Sequence, residues 1–121
     1  MILFNKNSYK DKNSFEQRSK DTLYILQKFP DRKPVIIEKY YNSILTDIDK
    51  NKYLIPIDMT VGQLIYVIRK RIKLEPHKAI FIFINNITPC ITSTIQELYD
   101  KYKEEDNFLY IVYQEESVFG I

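Results

Sequence analysis

An α+β fold is predicted by three observations. Capping-box patterns open three helical segments, at Ser14–Gln17, Thr60–Gln63 and Ser93–Gln96. Four short β-branched or aromatic runs lie between and after them. The resulting order, an N-terminal helix followed by ββαβαβ, is that of a small sheet crossed by one long amphipathic helix. At 121 residues a single domain can bury a core unaided.

The first helix starts at its Ser14 cap and carries Phe15, Leu23, Ile25, Leu26 and Phe29 at helical spacing before Pro30 ends it. A shorter helix is expected ahead of it, near Tyr9 to Asn13. Pro30 to Pro34 reads as a turn. Val35 to Tyr40 and Lys52 to Pro56 read as strands, the second at a sheet edge because of its terminal proline. From Thr60 a helix presents Val61, Leu64, Ile65, Val67, Ile68 and Ile72 on one side. Arg69-Lys70-Arg71 falls at its C-terminal end, where the helix dipole favours cations by about 0.3–1 kcal/mol each. Ala79 to Ile84 is wholly apolar and reads as a central strand covered on both faces, with Asn85-Asn86 turning the chain. A last helix carries Ile95, Leu98, Tyr99 and Tyr102, and Phe108 to Tyr113 is the final strand. This is the layout of a ubiquitin-like β-grasp with one or two additional N-terminal helices. The expected organisation is a helical extension over residues 1–28, a core over 29–116 and a flexible tail over 117–121.

Composition narrows the function classes. Hydrophobic residues make up 45% and charged residues 28%, the balance of a soluble globular domain. The one cysteine, Cys90, cannot form an internal disulfide, which fits a reducing, cytoplasmic compartment. No signal peptide or membrane span is expected, so membrane association has to be acquired. Residues 1–40 hold nine Lys/Arg against five Asp/Glu, whereas residues 97–121 hold two against seven. The basic part lacks the density of a nucleic-acid module, so no nucleic acid is expected as partner. Catalysis within the chain is not expected either. Cys90 and His77 are single residues of their kind, with Cys90 between apolar neighbours, and no third group orients them. One His and one Cys build no zinc site, and two distant glycines build no phosphate loop. Neither a cofactor nor a metal is expected.

Gly120 stands one residue from the end of Ser117-Val118-Phe119-Gly120-Ile121. Lacking a Cβ, it can lie extended in a narrow enzyme groove, as a protein whose own C-terminus reacts requires. Ile121 blocks that chemistry until it is removed. On composition alone, a frayed and meaningless terminus is the competing reading.

The chain resembles the autophagy-related ubiquitin-like modifiers (the autophagy-related protein 8 family), and is more similar to their GABA-receptor-associated-protein branch than to the microtubule light chain 3 branch. The residues that carry the resemblance are Phe29-Pro30-Asp31-Arg32, Pro34-Val35-Ile36, Glu38-Lys39, Asp49-Lys50, Lys52-Tyr53-Leu54-Ile55-Pro56, Thr60-Val61-Gly62-Gln63, Ile68-Arg69-Lys70-Arg71, Phe83-Ile84-Asn85-Asn86, Phe108-Leu109-Tyr110 and Ser117-Val118-Phe119-Gly120. Two departures are Ile87-Thr88-Pro89-Cys90-Ile91, where the family usually has paired prolines, and Leu64, where an aromatic is common.

The resemblance implies two activities, neither of them enzymatic. In the first, a cysteine protease removes Ile121, with Phe119 helping to place the scissile bond. Activating and conjugating enzymes then carry the Gly120 carboxyl to an amide on phosphatidylethanolamine, which places the protein peripherally on autophagosome or related membranes. In the second, short peptides with an aromatic-x-x-aliphatic motif, from receptors and adaptors, add as a strand beside Lys52 to Pro56. Asp21, Ile25, Pro34, Ile36, Lys52, Leu54 and Phe108 shape an aromatic pocket by this likeness. Tyr53, Ile55, Pro56, Met59, Leu64 and Val67 shape an aliphatic one, and Arg32, Lys50, Lys52 and Arg71 face acidic flanks. Two alternatives stay open: a non-lipidated adaptor of vesicle traffic or cytoskeletal attachment, its basic N-terminal third suiting tubulin, and a modifier joined to proteins.

Overall fold

The computed structural model describes residues 8–116. Its elements are α1 (Tyr9–Lys12), α2 (Phe15–Lys28), β1 (Arg32–Lys39), β2 (Lys52–Pro56), α3 (Val61–Arg71), β3 (Phe81–Phe83), α4 (Ile95–Tyr102) and β4 (Leu109–Gln114). The sheet runs β2-β1-β4-β3. β1 and β4 pair in parallel at its centre, and β2 and β3 lie antiparallel on the outside. This mixed sheet with a crossing helix is the α+β, β-grasp architecture expected.

Helix starts follow local chemistry. Ser14 Oγ accepts from the Gln17 N–H at 3.1 Å while Gln17 Oε1 accepts from the Ser14 N–H at 3.1 Å, and Thr60 and Gln63 repeat the exchange. The third capping box lies one residue later than the sequence suggested, at Thr94 and Glu97. Ser93 cannot serve because its main chain is committed elsewhere. Its N–H donates to Cys90 O and its carbonyl accepts from the Val61 N–H.

Two strand expectations need correction. β1 begins at Arg32, inside the expected turn, and includes Pro34. Asp31 O accepts from the Ile57 N–H and the Ile37 N–H donates to Asn51 O, so odd-numbered residues aim their main-chain groups at β2. Pro34 therefore turns toward β4, whose ladder starts only at Val35. Its missing N–H breaks no bond. The apolar run Ala79 to Ile84 yields only the three-residue β3, on the sheet's outer edge. Ile80, Ile82, Phe83 and Ile84 are indeed buried, but burial on both faces does not place a strand at the centre. Asn85 and Asn86, at φ 50° and 65°, end the run; asparagine tolerates that left-handed region better than other side chains.

The core forms where α3 crosses the sheet. Val61, Leu64, Ile68 and Ile72 pack with Val35, Ile37, Ile55, Ile111 and Tyr113 in one cluster. Ile25, Ile36 and Phe108 are buried outside that cluster, on the face covered by α2.

Candidate functional site

β2 has a ladder partner on one side only among the described residues. By the same alternation, Lys52, Leu54 and Pro56 aim their main-chain groups outward. Pro56 carries no N–H, and its carbonyl accepts from the Met59 N–H at 3.2 Å. Leu54 O accepts from Arg32 Nη1 at 3.1 Å. The outward N–H groups of Lys52 and Leu54 thus offer a short, exposed strand edge.

A cavity of about 130 Å³ opens next to that edge. Tyr53, Ile55, Pro56, Met59, Leu64 and Val67, the six residues expected around an aliphatic pocket, all line it, together with Leu54 and Arg71. Ile37, Ile48 and Ile68 complete the lining. Sequence reasoning missed these three. Ile37 was accessible in principle, because strand alternation puts it on the same face as Val35, the register partner of Tyr53. Ile48 sits in a loop and carries no periodic signal.

The opposite face of the same strands gathers the residues expected around an aromatic pocket. Pro34 pairs with Leu54 and Ile36 with Lys52, and cross-strand partners share a face. Lys52 Nζ lies 2.7 Å from Asp21 Oδ2 on α2, which raises the Lys52 pKa through that hydrogen bond against the opposing effect of burial. Ile25, Ile36 and Phe108 are buried beneath that face. Sequence reasoning also missed Tyr9. Its ring meets Phe108 edge-on at 5.4 Å between centroids, and its N–H donates to Glu38 Oε2 at 2.7 Å.

Phe108 is fixed by a buried polar network. Asp106 Oδ1 accepts from the Phe108 N–H at 2.9 Å, and Asp106 Oδ2 accepts from Arg18 Nη1 at 2.7 Å and Tyr110 Oη at 2.5 Å. Thr22 Oγ1 donates to Asp106 O at 2.6 Å. Burial, followed by the Asp106 contact, pushes the Tyr110 hydroxyl far up.

The four expected cations all have partners in the fold. Arg71 binds Asp49 through Nε and Nη2 at 3.1 and 2.8 Å, which lowers the Asp49 carboxyl. Arg71 and Lys50 flank the Tyr53 ring at 5.3 and 5.1 Å, Lys52 holds Asp21, and Arg32 holds Leu54 O. Gly120, Ile121 and Phe119 lie outside the described residues. Cys90 is exposed rather than in an apolar setting, its sulfur 3.1 Å from Thr92 Oγ1. No group of three or more potential metal ligands occurs among the described residues, and no helix there is long and apolar enough to cross a membrane.

The family model described as "Autophagy protein Atg8 ubiquitin like" matches residues 17–120. The chain belongs to the Atg8 family. Autophagy-related protein 8 of Candida albicans is 51% identical over 115 residues, covering 95% of this chain and 85% of the relative. Among solved structures, Trypanosoma brucei ATG8 superposes with a TM-score of 0.86 at 41% identity, covering 94% of this chain and 98% of the other. Plasmodium falciparum Atg8 in complex with a Plasmodium falciparum Atg3 peptide gives a TM-score of 0.85 at 38% identity, covering 93% and 98%. This Atg8-family chain is a ubiquitin-like modifier of autophagy.

Proposed function

We propose that the chain is trimmed after Gly120, conjugated through the Gly120 carboxyl to phosphatidylethanolamine, and used as a membrane-bound dock for aromatic-x-x-aliphatic peptides. The observation that carries the docking half is the open β2 edge lying against the 130 Å³ cavity. An added strand draws affinity from main-chain hydrogen bonds and specificity from alternate side chains. Apolar cavities of about 150 Å³ take a benzene-sized guest, so this one suits a single aliphatic side chain. Burying an aromatic anchor of about 150–250 Å² at about 25 cal/mol per Å² supplies roughly 4–6 kcal/mol before ordering costs. A micromolar complex needs about 8 kcal/mol, within reach of two anchors and a short ladder.

The tail half is supported by the family match reaching Gly120 and leaving Ile121 outside. A processing cysteine protease, an activating enzyme and a conjugating enzyme act on the chain, which is their substrate and not itself a catalyst. The Atg3 peptide bound by the Plasmodium relative supports the conjugating-enzyme partner. Each buried CH₂ of a lipid tail adds about 0.8 kcal/mol, and two chains anchor stably where one does not. The protein is then cytoplasmic when free and peripheral on autophagosome or related vesicle membranes when lipidated.

Two measurements test this. Intact mass of the cellular protein distinguishes a phospholipid adduct from an isopeptide-linked one, and from no adduct with Ile121 retained; Gly120→Ala abolishes the adduct. In calorimetric titration, Tyr53→Ala with Leu54→Ala removes binding of a Trp-x-x-Leu peptide, and unchanged affinity in a folded variant refutes the groove.

A further inference from the structure

At the end of β4 the chain is held once more after the ladder stops. Gln114, opposite Phe81, is the last paired residue. The next side chain, Glu115, turns back onto the loop that follows β1. Its Oε1 accepts from Ser43 Oγ at 2.6 Å and its Oε2 from the Ile44 N–H at 3.3 Å. Ser43 is itself fixed: its hydroxyl accepts from the Leu45 N–H at 3.1 Å, its N–H donates to Tyr40 O at 2.9 Å, and Tyr40 N–H donates to Tyr113 O at 2.8 Å. The loop and the strand end thus close a ring, with the carboxylate as its clasp. Burial pushes the Glu115 carboxyl up, but the Ser43 hydroxyl, the backbone N–H groups and Lys39 together bring it below the ordinary range, so the clasp is charged at neutral pH.

We infer that Glu115 is a positioning residue for the chemistry at Gly120. Clasped by Ser43 and Ile44, it fixes the point and direction from which the chain leaves the sheet toward the reacting glycine. This rests on the reading of Gly120 as the processed and conjugated residue. Gly120 stands five positions beyond Glu115, a reach of at most about 17–18 Å. An enzyme that grips both the folded domain and Gly120 needs the stretch between them in a single conformation. The clasp already holds Glu115 in place; without it Glu115 has to be fixed on docking, which weakens encounter by roughly 5–30-fold. The clasp touches no reacting atom, so its loss appears in KM and not in kcat.

The test uses the full chain with a fluorescent protein fused after Ile121, cleaved by the family's processing cysteine protease. Glu115→Ala and Ser43→Ala each raise KM by about fivefold or more, with kcat, melting temperature and groove-peptide affinity held near wild type. Glu115→Gln, whose amide oxygen still accepts from Ser43, recovers part of the loss. Wild-type KM in both alanine variants overturns the inference. So does a slow Glu115→Ala beside a normal Ser43→Ala, which makes Glu115 a direct contact of the protease. A wild-type fusion that the protease leaves intact overturns the Gly120 reading itself, a result distinct from either.

Discussion

Thr60 and Thr94, the N-caps of α3 and α4, face each other in an isolated antiparallel bridge. Around it, each helix start satisfies the other's surroundings. The Val61 and Gly62 N–H groups donate to Ser93 O and Ile91 O, while the Ile95 and Gln96 N–H groups donate to Met59 O and Ile57 O. The first N–H groups of a helix have no partner within it, and here the neighbouring helix entry supplies them. Met59 also lines the cavity, so α4 sets the position of the groove wall without touching the groove.

Thr94→Ala removes one cap and costs about 1 kcal/mol. The melting temperature falls by about 3–6 °C for a domain of this size, as read by scanning calorimetry. Because the bridging bonds are main-chain, the fold persists.

Two carboxylates give pH effects of opposite sign. The Glu97 carboxyl is lowered by the Thr94 N–H and hydroxyl, so its contribution is present above its unfolded pKa and lost as pH falls through the folded one. Burial raises Glu38 above 4.5, despite the Tyr9 N–H. Its contribution is full below 4.5 and is lost as pH rises through the raised value. Glu97→Gln therefore flattens the acid limb of a melting-temperature profile between about pH 3 and 7, whereas Glu38→Gln stabilises the protein at pH 7 more than at pH 4. The reverse pattern refutes these assignments.

Asp106→Ala leaves Arg18, whose side chain is only 11% exposed, without its carboxylate. It also strands the Phe108 N–H and Tyr110 hydroxyl. Breaking a buried pair from one side costs about 3–5 kcal/mol. An unfolding free energy, from urea titration, lowered by less than a third of that expectation counts against the network.

Tyr53 Oη is buried with no hydrogen-bond partner among the described residues, and burial is the main cause of its raised pKa. Tyr53→Phe removes an unsatisfied hydroxyl and keeps the ring between Lys50 and Arg71. Stability stays level or rises by up to about 1 kcal/mol, and peptide affinity is retained. A loss of more than tenfold in affinity shows that the hydroxyl meets the peptide.

Helix positions and the edge strand β2 were legible because they depend on nearby residues: caps, period and a terminal proline. The errors came from distant partners. Ser93 and Thr94 are equally good caps in isolation, and only the α3 entry decides between them. Pro34 looks like a strand breaker until β4 is known to start one residue later. Tyr9 showed no chemistry in the sequence because its role comes from Phe108, 99 positions further on. The apolar pocket was readable by family likeness, but its Ile48 wall arrives from a loop that no local pattern describes.

The Arg32–Leu54 contact has a bearing on solubility. A strand left bare for guests is also an invitation to identical molecules, and stacking edge to edge is how such surfaces precipitate. Here the acceptor at the middle of the row is stoppered by a guanidinium, and the far end lacks a donor because Pro56 has no N–H. A guest able to draw the stopper aside gains entry, while the matching edge of a second copy arrives with its own acceptor already taken.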